Sequence, residues 1–84
     1  MSSKIKWYNE SFENNKRHSC VIKGIGVIAI KLELSDECWM ITGNNLYGEH
    51  PLDTLNIEEA KTKALLYVAK EITNMFNAIN EAVK

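Results

Sequence analysis

From Asn56 to its end the chain has no glycine and no proline, and apolar residues return there every three or four positions. Leu65, Val68, Ile72, Met75, Ile79 and Ala82 form a stripe that Ala69, Phe76 and Val83 widen. Such spacing places one apolar face on an α-helix, and the width suits a helix lying on a sheet rather than a narrow coiled-coil seam. Asn56 followed by Glu59 is a capping-box start, with Asn in place of the usual Ser or Thr. Glu58 and Glu59 complement the positive end of the helix dipole. The pattern predicts a helix over about 57–83, roughly 26 residues and about 39 Å long at 1.5 Å per residue. A typical strand spans only about 17–20 Å. The last two turns are therefore expected to outrun the sheet, leaving Phe76, Ile79 and Val83 in need of another cover. A homodimer joined through helix ends is one solution. A long bent helix that caps the N-terminal strand is the other.

The rest of the chain reads with a period of two. Ile5 and Trp7 alternate with Lys4, Lys6 and Tyr8, as in a half-buried strand. Asn14-Asn15 has turn chemistry, because Asn tolerates left-handed backbone. A second strand is expected over 18–23, and Gly24 and Gly26 mark a tight turn or bulge. Over 26–34, Ile28, Ile30, Leu32 and Leu34 share one face. The other face starts apolar at Val27 and Ala29 and turns charged at Lys31 and Glu33. Ser35-Asp36 turns the chain into 37–42, where Trp39 and Ile41 face one way and Cys38 and Met40 the other. Leu46-Tyr47-Gly48 adds at most a short edge, and Pro51 is expected to end pairing. The expected fold is one α+β domain over 1–84. It consists of an antiparallel three- to four-stranded β-meander (about 4–48), a loop (43–55) and one long C-terminal helix packed on one sheet face.

Composition narrows the functions open to such a domain. With 45% hydrophobic and 25% charged residues the chain belongs with folded proteins rather than disordered tails. Ten basic residues against eleven acidic ones leave a net charge of −1, which argues mildly against a nucleic-acid module. No run of 18 apolar residues spans a membrane, and Met1-Ser2-Ser3-Lys4 lacks the apolar core of a signal peptide, so the expected location is the cytoplasm. Two cysteines are too few for a disulfide scaffold. Cys20 and Cys38 are expected on strands flanking a common neighbour, about 9–10 Å apart, whereas a disulfide needs Cα atoms within roughly 7 Å.

No motif specifies a reaction, a cofactor or a metal. His18, Cys20, Cys38 and His50 are the right residue types for zinc, but their spacing lacks the close pairs of a structural site. Cys38 precedes Trp39 in an apolar strand, where a thiol turns inert, and no triad pattern surrounds it. Gly24-Ile25-Gly26 leads into a strand, not into the helix start that would hold a phosphate. The expectation is no catalytic residue, no cofactor and no metal. Lys4, Lys6, Lys16, Arg17, His18 and Lys23, interleaved with Trp7 and Tyr8, form a basic-aromatic patch of the kind that stacks bases. Trp7, however, has the core-facing phase, and Glu10 and Glu13 dilute the charge. Two further features suit protein contacts. Leu66 and Tyr67 fall off the apolar stripe of the helix, and the polar loop holds Asn44, Asn45, Tyr47, Glu49, His50 and Asp53.

Lys-Ile-Lys-Trp-Tyr at 4–8, the alternating strand at 26–34, Glu-Cys-Trp-Met-Ile at 37–41, Leu46-Tyr47-Gly48 and the run from Leu55 to Lys61 follow one another in that order. This arrangement resembles small uncharacterised phage and prophage proteins with a β-meander and a Leu-x-x-Glu-Glu-Ala-Lys helix. The likeness covers most of the chain, and its motifs are core positions and a helix cap, so no active residue carries over. It implies a phage accessory protein that binds a host protein or complex stoichiometrically, as anti-CRISPR and other anti-defence inhibitors do. The leading expectation is thus a non-catalytic protein-binding module acting through Asn44, Asn45, Tyr47, Glu49, His50, Asp53, Leu66 and Tyr67. The alternative is a small nucleic-acid-binding or antitoxin-like regulator.

Overall fold

The computed structural model describes residues 5–23, 27–42 and 49–83. In chain order they form β1 (Trp7–Asn9), β2 (Arg17–Lys23), β3 (Val27–Leu34), β4 (Trp39–Ile41), β5 (His50–Pro51) and α1 (Ile57–Val83). Each strand pairs antiparallel with its sequence neighbour, so the sheet is an uncrossed meander in the order β1-β2-β3-β4-β5. This is the expected α+β plan with one strand more. Pro51, expected to end pairing, instead sits in β5 opposite Met40. Edge position explains the difference, since an edge strand can turn a missing N–H toward solvent. The expectations for Lys4, Gly24, Gly26 and the stretch 44–48 lie outside the described residues.

The hairpins rest on local chemistry. Between β1 and β2, Phe12 and Asn15 exchange both backbone hydrogen bonds at 2.9 Å. The left-handed residue of that turn is Glu13, at φ 55°, and not one of the two asparagines. After β3, the Ser35 hydroxyl donates to the Cys38 carbonyl at 2.7 Å and accepts the Cys38 N–H at 3.2 Å. That clasp turns the chain where Ser35-Asp36 predicts.

Register sorts side chains onto two faces. Trp7, Cys20 and Ile30 share one row, and His18, Leu32 and Ile41 the next. These rows face the helix and, with Trp39 and Leu52, make the core. From α1 the buried residues are Ala60, Ala64 and Val68. The contact ridge therefore centres on residues four apart, one turn earlier than the bulky stripe suggests, and Ile72 is already exposed. Alanine explains the shift. Its small side chain lets the helix backbone approach the sheet closely, although it adds little to a hydrophobic pattern. Full burial of Val68 then contributes about 1.5–3 kcal/mol.

Trp39 fixes how the helix enters. Its indole Nε1 donates to the Leu55 carbonyl at 3.1 Å, and its backbone N–H to the Thr54 carbonyl at 2.9 Å. The segment before α1 is thereby laid along β4. Asn56 Oδ1 then accepts the Glu59 N–H at 3.0 Å, the cap its position predicts. Cys20 on β2 and Cys38 before β4 are both buried and unpaired, on either side of β3. Burial pushes the Cys20 thiol up to about 11. No helix among the described residues is long and apolar enough to cross a membrane.

Candidate functional site

Three surfaces could meet a partner, and each is built differently. The first is the second half of α1. Past Val68 no helix residue is buried. Ile72, Met75, Phe76, Ile79 and Val83 recur at helical spacing on one side, with Phe76 at 62%, Ile79 at 61% and Val83 at 79% exposure. The exposed run starts at Ile72, about a turn earlier than helix length alone predicts. No ionisable residue stands between Glu71 and Glu81. Thr73 turns its hydroxyl back to the Ala69 carbonyl at 2.9 Å, and Asn74, Asn77 and Asn80 complete the polar side. The stripe thus stands exposed opposite a polar side that carries no charge between Glu71 and Glu81.

The second surface joins two of the sequence-predicted patches. His50 on β5 stacks on Tyr67 of α1, with centroids 4.5 Å apart and planes 7° from parallel. The loop exit and the helix are therefore neighbours in space. Tyr67 is half-buried against the core rather than fully solvent-facing, whereas Leu66 beside it is 66% exposed. Glu49 is exposed. Asp53, in left-handed backbone at φ 56°, lines an open depression with Glu37, Cys38 and Leu55. Asn44, Asn45 and Tyr47 lie outside the described residues.

The third surface is the sheet face turned away from α1. Tyr8, 51% exposed, lies there with the Lys6 ammonium 5.5 Å from its ring centroid. Lys6, Tyr8, Val21 and Lys23 line a depression of about 500 Å³. Tyr8 pairs with Ser19, which pairs with Lys31, so Lys31 joins the same row two strands away. The basic-aromatic patch read from sequence is thus divided by the sheet. Trp7 and His18 go to the helix side, where Lys61 lies 5.7 Å over the Trp7 ring and His18 meets Trp39 edge-on at 5.5 Å. Tyr8, Lys6 and Lys23 stay on the open side. Lys31 is absent from the patch read along the chain. Strand alternation combined with the β2–β3 register is the signal that finds it.

Desolvation and the Lys61 ammonium lower the His18 pKa, partly opposed by Glu58. His18 is held in place by a tryptophan and His50 by a tyrosine. Among the described residues no three His, Cys, Asp or Glu side chains come together as metal ligands would. Comparison with known proteins finds no matching family model, no matching curated protein and no matching solved structure.

Proposed function

We propose that this chain is a non-catalytic protein-binding module that acts by stoichiometric association, with the second half of α1 as its docking element. The apolar stripe from Ile72 to Val83, exposed on a helix whose first half is already packed, carries the reading. Helix-in-groove recognition uses anchors at i, i+3, i+4 and i+7, the spacing of Ile72, Met75, Phe76 and Ile79. Action by association needs only that the helix occlude a surface of the partner. The His50–Tyr67 stack and Leu66 flank the base of this element and would widen the footprint. A phage-encoded inhibitor of a host defence complex is the finer form of the proposal, and it rests on the sequence resemblance alone.

A photo-reactive residue placed at position 76 tests the docking element, with the same residue at position 74, on the opposite side of the helix, as control. In the cells that make the chain, position 76 should give one discrete protein adduct and position 74 none. A self-adduct identifies a second copy as the partner, and a heavier adduct a different protein. Equal labelling from both positions, or none from position 76, rejects the docking element.

A further inference from the structure

The net charge of −1 conceals a segregation. Among the described residues the cations on the open sheet face are Lys6, Arg17, Lys23 and Lys31, placed by alternation along β1, β2 and β3. The acids of that face gather at one end. Glu33 forms an ion pair with Arg17 at 2.9 Å, and Glu10 stands across from Arg17, its backbone N–H donating to the Arg17 carbonyl at 2.8 Å. Away from that end, the depression lined by Lys6, Tyr8, Val21 and Lys23 has no acid among its described lining residues. Two lysines, an exposed valine and an exposed tyrosine line it. The chain's remaining acids belong to turns and the helix, so whole-chain charge is a poor guide to this face.

We propose that this depression binds single-stranded nucleic acid without sequence preference, one base stacking on Tyr8 while Lys6, Lys23 and Lys31 meet the flanking phosphates. A flat sheet carrying an exposed aromatic ring among lysines matches how single strands are held, because every base has a face to stack and every nucleotide a phosphate to neutralise. The exposed Tyr8 ring decides among polyanions, because a lipid headgroup offers no aromatic face to stack on it. A duplex keeps its base faces stacked inside, whereas a single base enters edge or face first. The site lies on the opposite side of the sheet from α1, so it stands or falls independently of the helix docking element.

Fluorescence anisotropy of a labelled oligo(dT) 20-mer with the full chain tests it. At low salt the oligonucleotide should bind, and log Kd should rise with log salt with a slope of roughly 2, as for three phosphates neutralised on a single strand. Tyr8→Ala should weaken binding roughly tenfold and Tyr8→Phe should not, because stacking needs the ring and not the hydroxyl. Lys23→Glu and Lys31→Glu should each weaken binding and flatten the salt slope, whereas Lys70→Glu on the helix should change neither. All these positions are exposed, and circular dichroism confirms that each variant is folded. Absence of binding at low salt overturns the site. So does equal affinity of Tyr8→Ala and the parent, equal loss in Lys70→Glu, or tighter binding to duplex DNA or to phosphatidylserine vesicles than to the 20-mer.

Discussion

The two halves of α1 have one continuous backbone and comparable apolar content, but they live in different surroundings. In the first half Ala60, Ala64 and Val68 are buried on the sheet, Asn56 caps the start, and Trp39 anchors the approach. In the second half larger residues, Ile72 to Val83, touch no sheet residue closely enough to be buried. Small residues mark where the helix is packed, and large ones where it is free. Size at a helix face therefore reports how near the neighbour stands as much as whether one exists. An isolated helix of fewer than about 12–15 residues is marginal in water. The second half thus depends on the first for its helicity.

The largest expected effect contrasts the two halves by truncation and by overpacking. Ile30→Ala, under the first half, should cost about 2–5 kcal/mol in urea unfolding, since a fully buried isoleucine leaves a cavity. Ile79→Ala should stay within about 0.5 kcal/mol in the free chain. Ala64→Leu should cost about 1–3 kcal/mol because the helix stands too close to the sheet for extra methylenes. Ala78→Leu, in the exposed half, has room and should cost nothing measurable. If Ile79→Ala becomes costly only at high protein concentration, the second half is covered by a second copy in solution. If it is costly at every concentration, the division between the halves is wrong.

A middle-sized effect belongs to the cap. Asn56→Ala removes the acceptor of the Glu59 N–H and should destabilise the chain by about 1 kcal/mol, with Asn56→Asp close to the parent. Amide exchange sharpens the contrast. Protection should be highest around Ala64 and Val68 and fall steadily toward Val83, and Asn56→Ala should lower the first region rather than the last. Uniform protection along α1 would remove the distinction on which the docking element rests.

Much of this fold is legible in the sequence. The limits of α1, its Asn56 cap and the facing of Trp39 and Ile41 all follow from periodicity and capping chemistry that act within a few residues. What escaped is non-local or weakly signalled. Ala60 and Ala64 are the packed positions because of distance to the sheet, which a hydrophobic pattern does not encode. The two-residue β5 is too short to alternate, and its Pro51 argues against pairing unless the edge position is known. Lys31 joins Lys6, Tyr8 and Lys23 only through strand register. The His50–Tyr67 stack joins the loop to the helix across 17 positions of sequence, a proximity that neither segment announces alone.

The smallest expected effect separates the two faces of the sheet instead of the two halves of the helix. His18 is the titratable group that the packed first half of α1 covers, with Lys61 and Glu58 of that half and Trp39 of β4 around it. Desolvation first, and the Lys61 charge second, hold its folded pKa below the ordinary 6.5, against the opposing pull of Glu58. The unfolded chain then takes up the proton at higher pH than the folded one does. Stability from this group is complete above about pH 6.5 and declines as pH falls through the lowered folded value. Urea unfolding at pH 7.5 and at pH 5.5 should show the parent losing stability on acidification, and His18→Gln losing less. The Lys61→Met variant sharpens the assignment. Removing that cation lets the folded pKa rise toward its unfolded value, so the pH slope should shrink while the Trp7 ring keeps its aliphatic cover. A parent and a His18→Gln chain with the same pH slope would place the acid sensitivity elsewhere and detach His18 from the packed half of the helix.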